Sequence, residues 1–103
     1  MKDEFNYSEL VGINKLIHEP ARASIMTLLS VVEEADFIFV MNKTGLTQGN
    51  LSSHLSKLEN AGLVDIEKKF KGKRPQTLLR LSKKGEKELS TYIDSMKTFI
   101  NRF

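Results

Sequence analysis

The 103-residue chain has no cysteine. Disulfides, thiolate metal sites and thiol redox sensing are therefore excluded, which fits a cytoplasmic protein. No apolar run reaches the length that spans a bilayer, and the polar start MKDEFNYSEL has no signal-peptide pattern, so no membrane partner is expected. The only two histidines, His18 and His54, are far apart with no acidic cluster beside either. No metal site and no cofactor is expected. There is no nucleophile–base pair, no phosphate-cradling glycine loop and no paired carboxylates, and Lys71-Gly72-Lys73 lacks the spacing of a P-loop. The chain does not read as an enzyme. Repeats, low-complexity segments and domain boundaries are also missing, and the length suffices for one core but not two. Residues 1–103 are read as a single domain.

What is present is an ordinary globular balance, 40% apolar and 28% charged, with an uneven distribution of charge. The segment from Lys68 to Lys87 holds nine Lys/Arg and one acid, Glu86, for +8. The remainder holds seven Lys/Arg and twelve acids, for −5. A basic segment in an otherwise acidic protein points to a localised polyanion site better than the net charge of +3 does.

The most informative stretch is Thr47 to Val64, TQGNLSSHLSKLENAGLV. Thr47 suits an N-cap, and Gly62 stands where a left-handed residue closes a helix. At 100° per residue Leu51, Leu55 and Leu58 form one narrow stripe facing a core. The other side carries Gly49, Asn50, Ser52, Ser53, Ser56 and Lys57, with no acid in the first three turns. A helix turned to water ordinarily mixes Glu and Lys there. Short hydrogen-bonding side chains instead let the backbone approach another surface, as a helix in a DNA major groove must. The plainer reading of the same face is a solvated helix with serine filler.

Before this helix, residues 1–7 read as a polar tail in which Phe5 and Tyr7 can dock. Ser8 caps a first helix to about His18 (Leu10, Ile13, Leu16, Ile17), which Pro20 ends. A second helix spans about Pro20 to Glu33, burying Ile25, Leu28, Leu29 and Val32. Arg22 on its first turn, where the helix dipole disfavours a cation, is either a phosphate contact or the ion-pair partner of Glu19 or a nearby acid. The apolar run Phe37 to Met41 suits strand or buried helix, and is read as an extended piece at Asp36-Phe37 and a short helix from about Ile38 to Thr44. With Gly45 as the turn, this makes a helix-turn-helix. Beyond it, Leu63 to Phe70 alternates as a strand, Lys71-Gly72-Lys73-Arg74-Pro75 forms a turn in which proline stops the pairing, and Gln76 to Leu81 returns. Ser82 caps a final helix, roughly Lys83 to Asn101.

The run GLTQGNLSSHLSKLENAGLVDIEKKFKGKRPQTLLRLSKKG resembles the winged-helix transcriptional regulators of the MarR/ArsR-like superfamily, in particular the compact single-domain subfamily. The matching positions are Leu46-Thr47, Gly49-Asn50-Leu51-Ser52, His54-Leu55, Lys57-Leu58-Glu59, Ala61-Gly62, Lys69-Phe70, Gly72, Arg74-Pro75, Thr77, Leu81-Ser82 and Gly85. The resemblance implies an α+β, mostly helical fold, a winged helix-turn-helix with a two-stranded β-hairpin wing and terminal helices. It implies a regulator bound to double-stranded DNA, with recognition helix 47–61 in the major groove and basic wing 68–77 on the backbone or minor groove, commonly as a homodimer. Carried over by position, Thr47, Gln48, Gly49, Asn50, Ser52, Ser53 and Lys57 lie at the groove, and Lys71, Lys73 and Arg74 form the wing tip. His54 packs at the helix edge or reaches a phosphate. The Cys and His clusters of metal-sensing members are missing, so metal sensing is not carried over.

In the final helix Leu89, Tyr92, Ile93, Met96, Phe99 and Ile100 recur at three- and four-residue steps. That stripe either packs on the first helix or pairs with a second chain, which makes helix 83–101 the expected dimerisation element. Phe5, Tyr7, Tyr92 and Phe99 either line an effector pocket or close the core. The competing function is a winged helix used as a protein-interaction module, its basic wing facing an acidic partner.

Overall fold

A computed structural model of the chain describes residues 12–102. The helix expected from Ser8 falls partly outside these residues. From Gly12 to Glu19 the chain makes turns, not helix. Asn14 caps a single turn there: its Oδ1 accepts from the backbone N–H of Leu16 at 3.0 Å and of Ile17 at 3.2 Å, and its carbonyl from that of His18 at 2.8 Å. Pro20 then holds Glu19 extended, at φ −151° and ψ 129°.

Helix α1 (Pro20–Val32) starts with proline in its first turn and with Glu19 as N-cap, whose Oε1 accepts from the Arg22 backbone N–H at 2.7 Å. That bond, more than the nearby Arg22 charge, holds the Glu19 carboxyl below its ordinary pKa, against the opposing effect of partial burial. Ile25, Met26 and Leu29 are buried, while Leu28 and Val32 are only half-buried, so the inward stripe includes a methionine the spacing does not single out. The helix stops one residue before Glu33, which takes φ 69° and ψ −49° and lets Glu34 N–H reach the Val32 carbonyl at 2.8 Å, a γ-turn.

That turn delivers strand β1 (Ala35–Asp36) to the sheet, one residue earlier than expected. Asp36 at once caps helix α2 (Phe37–Thr44), its Oδ1 accepting from Phe39 N–H at 2.9 Å, so the ambiguous apolar run is helical from Phe37. Gly45 ends α2, and Thr47 starts helix α3 (Gln48–Asn60) with its side chain accepting from Asn50 N–H at 3.1 Å. At the far end Gly62, at φ 77°, lets its own N–H reach the Glu59 carbonyl and that of Leu63 reach Leu58, both at 2.9 Å. This is a Schellman closure, with buried Leu63 packed after buried Leu58.

Strands β2 (Val64–Lys71) and β3 (Arg74–Leu81) pair antiparallel along their whole length, and β1 joins β3 with Ala35 opposite Leu79. The sheet therefore has three strands in the order β1-β3-β2. The hairpin is longer and its turn tighter than the sequence reading has it. Only Gly72 and Lys73 lie between the paired Lys71 and Arg74, and Gly72 alone has positive φ, 67°, as a type II′ turn requires. Pro75 sits inside the ladder opposite Phe70. This is the position next to the hydrogen-bonded closing pair, where no N–H is called on to bridge the two strands.

Helix α4 (Lys83–Ile100) begins at Ser82, whose Oγ accepts from Gly85 N–H at 2.9 Å. One core joins Ile25, Met26 and Leu29 of α1 with Val40 of α2, Leu51, Leu55 and Leu58 of α3, Val64 and Leu79 of the sheet, and Leu89 of α4. The tightest contact in it is between backbones. A Cβ built on buried Gly85 would stand 2.0 Å from the Leu63 carbonyl oxygen. Gly85→Ala is therefore expected to destabilise the fold by on the order of 3 kcal/mol, read as a lowered midpoint in denaturant unfolding.

Candidate nucleic-acid interface

Helix α3 shows three kinds of face. Leu51, Leu55 and Leu58 are buried, at 0%, 2% and 0% exposure. Gln48, Gly49, Asn50, Ser52, Ser53, Ser56 and Lys57 are all exposed. Among the described residues none of their side chains has a hydrogen-bond or ion-pair partner. The small polar face thus contributes nothing to holding the helix in place. Its third face carries His54, which is half-buried against α1. Arg22 Nη1 lies 3.2 Å from His54 Nδ1. A guanidinium can only donate, so Nδ1 accepts and the imidazole proton is on Nε2. His54 accordingly packs at the helix edge, the first of its two expected roles.

The same contacts correct the reading of Arg22. Its Nε donates to the Leu16 carbonyl at 2.6 Å, and its guanidinium also serves His54. The cation is satisfied by a carbonyl and an imidazole across two segments. It forms no direct ion pair with Glu19, whose carboxylate instead accepts from the Arg22 backbone N–H.

The wing presents Lys68, Lys69, Lys71, Lys73 and Arg74, all exposed, with Gly72-Lys73 at the tip. Not every cation of the basic segment is available. Arg80 is held by the carboxylates of Glu34 and Glu67, whose bonds raise its pKa, Glu67 foremost. Lys84 donates to the Ala61 carbonyl at 2.9 Å and so covers the C-terminus of α3. Charge counting along the sequence includes both, because partners 46 and 23 residues distant leave no local signature.

Helix and wing enclose a groove of about 680 Å³. Gln48, Ser52, Ser56 and Glu59 form its helix side, and Ile66, Lys68 and Thr77 its sheet side. Sequence reasoning puts Lys68 and Thr77 at the two ends of the wing and Ser56 on the polar helix face, but does not bring them together in one groove. The one signal available is the alternation that puts Lys68 on the same strand face as Val64 and Ile66.

A polar-faced helix and a cationic hairpin, both exposed, stand side by side on one surface. A winged-helix DNA-binding domain model matches residues 21–100. The chain belongs to that family. A transcriptional regulator homologue from Pyrococcus horikoshii OT3 has 32% identity to this winged helix and a TM-score of 0.86, over 91% of this chain and 95% of its own. An uncharacterized protein of Methanocaldococcus jannaschii is 34% identical over 79 residues, which is 77% of this chain and 86% of that one. A MarR-family transcriptional regulator from Silicibacter pomeroyi shares the fold, at a TM-score of 0.66 and 19% identity over 93% of this chain and 62% of its own. The winged-helix DNA-binding domain expected from the pattern around residues 46–85 is the family found.

The rest of this winged helix was searched for other sites. Among the described residues no three His, Asp or Glu side chains gather in a metal-binding group, and no helix is long and apolar enough to cross a membrane. Of the expected effector-pocket residues, Phe5 and Tyr7 lie outside the described residues. Tyr92 places its hydroxyl 2.9 Å from His18 Nδ1, so His18 is a packing partner and not simply a helix end.

The fold does not require glycine at position 49. It has ordinary helical φ, and an added Cβ would meet nothing within 4 Å. Gly49→Ala is expected to stabilise the free protein by about 0.5 kcal/mol, because alanine is the better helix former and the fold leaves room for it. Thermal unfolding of the variant checks this.

Proposed function

We propose that this protein is a sequence-specific regulator of transcription that binds double-stranded DNA. The single observation carrying the reading is the unpartnered face of α3, free of acids over its first three turns, beside the exposed cations of the wing. Gln48, Asn50, Ser52 and Ser53 read base edges in the major groove, with Thr47 and Gly49 allowing the helix N-terminus to come close. Lys57 supplies charge from the helix. Lys71, Lys73 and Arg74 reach the backbone or minor groove, and each phosphate they neutralise releases counterions. Similarity to the Pyrococcus transcriptional regulator homologue supports the assignment. The chain acts as one domain in the cytoplasm, without cofactor or catalysis. Its effect follows from occlusion or recruitment at a promoter.

The working form is a homodimer joined through the end of α4. Leu89, at 3% exposure, belongs to the chain's own core, and Tyr92 and Ile93 pack half-buried against that core. Met96 and Ile100 continue the stripe beyond it, with Ile100 57% exposed. A two-fold axis there presents two copies of α3 to half-sites about one helical turn apart. Ile100→Asp is expected to shift sedimentation toward the monomer, and an unchanged dimer would remove α4 from the interface.

Asn50→Ala or Ser53→Ala is expected to cost about 1–3 kcal/mol on the selected site and little on random DNA. Equal loss on both would mean that these side chains position the protein without reading sequence. The triple change of Lys71, Lys73 and Arg74 to Ala is expected to weaken binding to every duplex and to flatten the salt slope by roughly one unit per lost phosphate contact. Binding that ignores DNA and persists on an acidic protein would support the interaction-module reading instead.

A further inference from the structure

The polar face of α3 has two flanks. The wing borders one, where Gln48, Ser52 and Ser56 line the groove with Lys68. His54 is on the other, four residues from Asn50 and three from Lys57, so it shares an edge of the helix with both. Two groups of opposite charge meet its Nδ1 there. Arg22 Nη1 donates to it at 3.2 Å, and Glu19 Oε1 stands 3.9 Å away, beyond hydrogen-bond reach. That oxygen already accepts from the Arg22 backbone N–H at 2.7 Å, and a carboxylate oxygen has a second lone pair to offer. The same bond holds the Glu19 carboxyl below its ordinary pKa, so it stays ionised in mild acid. The other charges near α3 are engaged or distant. Lys43 of α2 lies over the Phe39 ring, and on β2 Lys68 is across the helix at the groove and Glu67 is held by Arg80. On its own helix, Lys57 is the cation one turn from His54.

We propose that His54 makes DNA binding sensitive to pH: neutral, it keeps the Arg22 guanidinium folded back, and protonated, it turns to Glu19 and releases that guanidinium to a phosphate beside α3. The proposal rests on the DNA-binding reading and adds a regulation to it. A guanidinium can only donate, so an imidazole that carries a proton on Nδ1 cannot accept from it, and two cations at 3.2 Å repel. Glu19 Oε1 is the acceptor within reach, and a shift of about 1 Å brings the imidazolium to it. Glu19 keeps its bond to the Arg22 N–H throughout, so α1 stays capped. Arg22 keeps its Nε on the Leu16 carbonyl, and its Nη1 is left to find a new acceptor. The other histidine has no such conflict. His18 Nδ1 meets the Tyr92 hydroxyl at 2.9 Å, and a hydroxyl can donate to the neutral ring or accept from the charged one. Of the two histidines, protonation therefore rearranges bonds only at the one beside the polar face of α3.

The full chain is titrated with a labelled random-sequence duplex at about pH 7.5 and about pH 5.5, the range in which histidine changes charge, each across a series of salt concentrations. The wild type is expected to bind about fivefold tighter at the lower pH in low salt, with the slope of log affinity against log salt steeper by about one unit for the added phosphate contact. His54→Gln is expected to bind equally at both pH values, and His18→Gln to keep the response. Arg22→Gln is expected to keep less than half of the gain. The free wild type supplies a reading that needs no variant to fold: the Arg22 Nε–H resonance moves in step with the His54 ring protons as pH is lowered. An Arg22 resonance that stays fixed while His54 titrates would overturn the proposal. Duplex binding that is equal at both pH values, or a response that survives His54→Gln, overturns it and leaves the DNA reading standing. Binding that weakens in acid in the wild type alone means that the imidazolium loosens α3, and overturns it too. If the wild type binds no duplex at either pH, both readings fall.

Discussion

The approach of Gly85 to the Leu63 carbonyl is the contact on which the working surface depends. Around it four chain ends are tied together. Ser82 N–H donates to the Leu63 carbonyl at 3.0 Å, Ser82 Oγ to the Gly62 carbonyl at 2.5 Å, and Lys84 Nζ to the Ala61 carbonyl at 2.9 Å. The carbonyls left over where α3 ends are therefore satisfied by the residues that begin α4. The same junction holds the start of β2 against the end of β3, where Val64 is opposite Leu81. The angle between α3 and the hairpin is set here, by backbone and short side chains with little freedom to adjust. The groove between helix and wing inherits its width from this knot.

Folding and function divide the residues cleanly. The buried leucines of α3, its Thr47 cap and its Schellman closure are sufficient to build the helix. None of Gly49, Asn50, Ser52, Ser53 or Lys57 is needed for that through a side-chain bond. The cations divide in the same way. Arg22, Arg80 and Lys84 are spent on carbonyls, an imidazole and carboxylates within the fold. Lys68, Lys69, Lys71, Lys73 and Arg74 are left facing solvent. A protein that keeps five cations exposed on one hairpin sustains their mutual repulsion, which a polyanion relieves.

Much of this is legible in the sequence because it is local. Caps at Thr47 and Ser82, the closing Gly62 and the Leu51-Leu55-Leu58 stripe each follow from a few neighbouring residues, and all stand where the pattern puts them. What escapes is non-local. Ala35 and Asp36 become a strand only because β3 offers them an edge. Asn14 caps a single turn in the middle of an apolar helical pattern. Pro75 reads in sequence as the end of the ladder, although its register makes it harmless there. The groove needs helix and sheet to be juxtaposed, and no spacing within either element announces it.

The most direct test of DNA binding through α3 and the wing is backbone amide chemical-shift mapping of the free protein, titrated with a short random-sequence duplex at low salt. Shifts are expected to gather on Gln48 to Lys57 and on Lys68 to Thr77, with α1 and the end of α4 unmoved. Shifts centred on α1 and the end of α4, or no shifts at all, would contradict that placement.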